Sequence, residues 1–101
     1  MPKTAEQAHR ALQKIMEEQA VKAARSEYDI SVCISAVSAA QSTFEGVEVK
    51  GSAPEYVNAV YAAISDLQNG YNDSDGQYTN GRASIGDVLG QVYQLKKEIE
   101  G

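Results

Sequence analysis

The sequence predicts an all-α protein: a small helical bundle in which a long N-terminal helix, continuous or kinked, is followed by a helical hairpin. Three observations carry this. Residues 4–44 contain no proline and no glycine, and apolar side chains return there at three- and four-residue steps, the period of one helix face. Two later stretches repeat the spacing, most regularly at Ile85, Val88, Val92, Leu95 and Ile99. Ser or Thr stands before each stretch, with a polar residue three positions on that can reach back to the cap.

The first helix spans about 4–44. Thr4 and Gln7 have capping-box spacing, and Ala8, Leu12, Ile15, Met16, Ala20, Ala23 and Ala24 form an alanine-rich buried stripe. Glu6 with Arg10 and Glu18 with Lys22 are i,i+4 pairs suited to the wet side. The stripe slips in phase between Arg25 and Asp29, where Ser26 and Asp29 offer a second cap, so the pattern fits either one kinked helix or two helices broken near 25–28. From Ile30 onward Ile30, Cys33, Val37, Ala40 and Phe44, with Ile34 beside them, read as core. The alternation Ile30, Val32, Ile34 also permits a short strand, but the flanking alanines and serines favour helix.

Gly46 is placed as a left-handed C-cap, and 45–51 reads as a short extended connector or edge strand. Ser52, Glu55 and Pro54 open a helix over 53–69, with Val57, Val60, Tyr61, Ile64 and Leu67 facing inward and Asn69-Gly70 ending it. The polar stretch 70–83 is a loop, and its Asn80-Gly81 suits a tight turn folding Gln77–Thr79 back on Arg82–Ser84. Ser84 and Asp87 then cap a last helix over 84–100, widened by Leu89 and Tyr93. Gly86 and Gly90 each cost this helix about 1 kcal/mol relative to alanine. Such a cost is either a sign of close helix approach on their face or simply tolerated.

The 101 residues, 1–101, read as a single helical domain, which at this length buries about two thirds of its unfolded surface. With 43% hydrophobic and 23% charged residues, usage is that of a globular chain. Fourteen acidic against nine basic residues give a net charge of -5, which argues against a grip on a nucleic-acid duplex and suits a basic partner. One cysteine, Cys33, forms no internal disulfide, and Cys33 with the single histidine, His9, does not complete a zinc site. Cys33 on the apolar seam reads as a small core residue, and His9, among Glu6, Arg10 and Gln13, as an exposed one. No run approaches 18 apolar residues and no apolar leader follows Met1, so no membrane contact and a cytoplasmic location are expected.

No catalytic or metal-binding motif stands out, so a non-enzymatic protein without a cofactor is expected. Asp73, Asp75 and Gly76 hint at a calcium loop, but that register puts Tyr71 and Arg82 where the two anchoring carboxylates belong. Tyr28, Tyr56, Tyr61 and Tyr93 fall at helix edges, with their hydroxyls expected in water. Tyr71 and Tyr78 differ, standing among Asn72, Thr79, Asn80, Arg82 and Ser84 in the mixture of aromatic and small polar groups that binding loops use. Arg82 with the expected helix N-terminus at Ser84 could hold a phosphate.

Two functions follow. The first is a small acidic helical protein, oligomeric through the N-terminal helix, that docks on or blocks a partner protein. The alternative is sequestration of a small anionic ligand, a phosphorylated molecule or nucleotide messenger, through 70–84. The homo-oligomer is argued from length: an unbroken helix over 4–44 would reach about 60 Å, beyond what helices of about 24 Å can cover. Unless the chain folds back near Arg25, the stripe from Ala8 to Ala24 then needs another subunit.

Overall fold

The computed structural model describes residues 2–27, 30–70 and 79–100, Thr79 by its backbone alone. Among these the chain forms four α-helices and no strand: α1 (Ala5–Ala24), α2 (Ile30–Glu45), α3 (Ala53–Asn69) and α4 (Thr79–Glu100). All six helix pairs touch, most extensively α3 with α4 and α2 with α4, in an all-α bundle of 39 × 26 × 23 Å. A 41-residue helix would overrun that long axis, so the choice left open near Arg25 resolves to two helices. The amides of Arg25 and Ser26 close the end of α1 on the carbonyls of Lys22 and Ala23.

Folding back covers the N-terminal stripe. Ala5, Ala8, Leu12 and Met16 join Phe44, Tyr56, Val57, Val60, Ile64, Ile85, Val88 and Val92 in one core. The surface that argued for another subunit on α1 is therefore covered within the chain. Ala20 and Ala24, read as part of the stripe, are exposed instead, because the buried arc passes through Gln19 and Ala23. Ile30 and Ile34 also depart from their core assignment: they are 44% and 42% exposed. The buried arc of α2 runs through Cys33, Ala36, Val37, Ala40 and Phe44, and Ile34 sits to one side of it.

Local chemistry sets the helix ends. Thr4 Oγ1 accepts from Gln7 N at 3.2 Å, but the Gln7 side chain reaches one residue further back than a capping box does, to Lys3 N at 2.8 Å. Ser52 Oγ accepts from Glu55 N at 3.2 Å and donates to Glu55 Oε1 at 3.0 Å, with Pro54 in the first turn. The 46–52 connection is irregular, paired only through an isolated bridge between Thr4 and Ser52, and Val47 and Val49 rest against the core. Its left-handed residue is Gly51, φ 77°, rather than Gly46. A side chain at Gly51 would be strained by that backbone and would crowd Glu55 as well.

The largest departure is the start of α4. The helix begins at Thr79, five residues before the expected Ser84 cap, so Asn80 and Gly81 lie in its first turn and not at a hairpin tip. Favourable burial explains the extension, since Gly81 is buried and the Gln68 side chain donates to the Arg82 carbonyl at 3.2 Å. That tertiary contact outweighs the turn preference of an Asn-Gly pair.

Candidate interaction surface

Charge is distributed very unevenly over the outer surface. From Ile30 to Phe44 α2 contains no Asp, Glu, Lys or Arg, whereas α1 bears Glu6, Arg10, Lys14, Glu17, Glu18 and Lys22. The exposed residues of α2 before Glu45 are Ile30, Ser31, Ile34, Ser35, Ser38, Gln41 and Ser42. Apolar and small neutral groups thus cover a whole helix face about 24 Å long. Interface centres are depleted of charge in the same way, because an ion buried there loses hydration that its contacts seldom restore.

Beside this face, at the end where α1 turns into α2, lies an open cleft of about 490 Å³. Its floor includes Ala23, Cys33 and Val37, a small buried cluster separate from the main core. Val21, 51% exposed, adds an apolar wall, and Glu18, Lys22, Arg25 and Asp87 give the lining its charge. Lys22 Nζ pairs across to Asp87 Oδ2 at 3.0 Å, joining α1 to α4 in place of the expected pairing with Glu18. Both side chains are more than half exposed, so the pair contributes about 0–1 kcal/mol. Cys33, buried as expected, has its Sγ 3.7 Å from Ser26 Oγ.

Of the residues expected to bind, Tyr71, Asn72 and Tyr78 lie outside the described residues, as does the Asp73–Gly76 segment. Thr79, Asn80, Arg82 and Ser84 come together on the first turns of α4, with Arg82 exposed and Ser84 half-buried in the cleft lining. Ser84 is not at a helix N-terminus: α4 begins five residues earlier, at Thr79. The helix N-terminus that the phosphate reading placed at Ser84 is therefore not there. Among the described residues no three His, Cys, Asp or Glu side chains gather as a metal site would need, and no helix is long and apolar enough to cross a membrane.

At the other end of the bundle His9 is half-buried, not exposed, and stacks on Phe44 with ring centroids 5.0 Å apart. Its Nδ1 lies 2.7 Å from the Tyr56 hydroxyl, the phenol donating when Nδ1 carries no proton. Tyr56 is itself only 1% exposed, so its hydroxyl meets His9 and not water, and burial raises its pKa above the usual tyrosine value. Tyr61 and Tyr93 do sit at the helix edge, 6.2 Å apart, under the ammonium groups of Lys96 and Lys97.

The uncharged face of α2 was present in the sequence as a gap in the charge pattern. Spacing alone assigned its isoleucines to the core and hid it. Compared with known proteins, the chain matches no family model, no curated protein and no solved structure.

Proposed function

We propose that this is a non-enzymatic binding protein that docks on a partner protein through the outward face of α2 and the adjoining cleft. The observation that carries the reading is the pairing of two isoleucines more than 40% exposed with a helix free of charged side chains from Ile30 to Phe44. Leaving apolar surface uncovered gives no folding advantage, whereas covering it on association contributes about 25 cal/mol per Å² of apolar area before the costs of binding. The charges lining the cleft balance, Glu18 and Asp87 against Lys22 and Arg25, so the cleft offers a partner segment both acceptors and donors beside its apolar anchor.

Photo-crosslinking tests this directly. A photoreactive side chain at Ser38, on the α2 face, should give discrete protein adducts in the source cells, and the same probe at Glu17, on the charged face of α1, should not. Adducts from Ser38 should vanish with Ile34→Lys. Equal labelling from both positions, or adducts indifferent to Ile34→Lys, would sink the proposal.

A further inference from the structure

We infer that the cleft where α1, α2 and α4 meet is a binding site for a small uncharged molecule that presents an N–H beside a C=O on an otherwise apolar body, as a lactam or a primary carboxamide does. The inference goes beyond the docking of a partner protein and does not depend on it. Gln19 carries it. This residue lines the cleft and is 9% exposed, the one buried polar side chain among the described residues. It stands on the inward arc of α1 with Met16 and Ala23, where an apolar side chain is the ordinary occupant. Its carboxamide bonds to none of the described residues, yet no fully enclosed side-chain nitrogen or oxygen among them lacks a partner. The amide is therefore not sealed into the core, and the cleft is the opening that Gln19 lines.

A carboxamide offers donors and an acceptor on adjacent atoms. Its complement is a group with donor and acceptor on one edge, which closes two hydrogen bonds at once. A trans peptide bond points its N–H and C=O to opposite sides, so the main chain of a protein partner lacks that edge. A purely apolar occupant would strip the amide of water and leave it unpaired, and a site built around a hydrogen-bonding group rejects ligands of that kind. Charge selects in the same direction. Glu18 and Asp87 balance Lys22 and Arg25, and Lys22 is already paired with Asp87 at 3.0 Å, so the lining has no net pull on an ion. Ala23, Cys33 and Val37 give the apolar body its floor, and a volume of about 490 Å³ falls in the range of small-molecule sites.

The probe is carbostyril, a bicyclic lactam, followed by backbone amide NMR shifts of the intact protein. It should give saturable shifts at Val21, Ala23, Ser26, Val37 and Ser84, with a Kd of about 1 mM or tighter. N-methylcarbostyril keeps the carbonyl and loses the N–H, and it should bind the wild type about tenfold or more weakly. In Gln19→Met, which removes the amide from a side chain of similar length, the two probes should bind equally. The absence of saturable shifts in the cleft overturns the inference, as does wild-type binding indifferent to the methyl group; both results hold even where Gln19→Met fails to fold. The side-chain amide of an asparagine or glutamine in a protein partner carries the same edge. Ser38 adducts that carbostyril abolishes would assign the edge to that partner and overturn the small molecule, whereas adducts that persist beside bound carbostyril support it. Missing adducts remove the docking reading and leave the cleft shifts to decide this site.

Discussion

Helices α1 and α2 follow one another in the chain and pack against the same core, yet their outward faces have opposite chemistry. The outer side of α1 is laid out as a solvated face, with acidic and basic residues interspersed, and every large apolar side chain on it except Val21 turns at least partly inward. α2 presents serines, a glutamine and two isoleucines to the outside. Both helices bury their inner arcs almost completely, so the difference does not come from the core. It shows that burial of one face is a requirement of folding, whereas the chemistry of the opposite face is free to serve something else.

The contrast implies that substitutions on the buried arc should cost folding stability and those on the α2 face should not. The largest effect is expected at Leu12, 0% exposed. Leu12→Ala should lower the unfolding free energy by about 2–5 kcal/mol in denaturant titrations, through lost transfer energy and the cavity left behind. A loss below about 1 kcal/mol would mean that α1 is not held as described.

Tyr56 tests the boundary between core and surface. Tyr56→Phe should cost about 1 kcal/mol, because it leaves Nδ1 of half-buried His9 without its phenol partner. The raised pKa adds a pH signature of definite sign. With the folded value above the ordinary value of about 10, the protonated phenol favours the folded state, and that contribution is full below pH 10. Stability should therefore fall as pH rises from about 10 through the folded value, and the fall should shrink in Tyr56→Phe.

A change of opposite sign is expected at Gly90, where an added Cβ meets nothing within 4 Å. Gly90→Ala should raise stability by about 0.5–1 kcal/mol, the usual gain for replacing a helix-interior glycine. Gly86→Ala should gain less, since its Cβ would lie 3.1 Å from Gln68 Nε2 and displace that side chain. The smallest effect belongs to the α2 face: Ser35→Lys should change monomer stability by no more than about 0.5 kcal/mol, measured by thermal unfolding at low concentration. A loss as large as that of Leu12→Ala would erase the distinction between the two faces.

Much of the fold was legible because helices leave periodic traces. The caps at Thr4 and Ser52, the end of α3 at Asn69-Gly70 and the seam from Ile85 to Leu95 are all local patterns, and all stand in the structure. Errors arose where two local signals competed and tertiary contact chose between them. Asn80-Gly81 is a turn pair by composition, but the site of Gln68 and the burial of Gly81 carried the helix through it. His9 looked exposed among charged neighbours, and only the approach of α3 and Phe44 supplied the ring and the hydroxyl that enclose it.

What the sequence determined by itself was the all-α class and most helix boundaries, since both follow from spacing and capping within a few residues of chain. The tertiary structure decided which apolar residues the core had no room for. Ile34 and Val37 are three residues apart on one helix and equally suited to burial. One ends 42% exposed and the other 3%, because the space inside depends on how four helices fit against one another. Periodicity names the candidates for a core, and packing fixes how many of them it can hold.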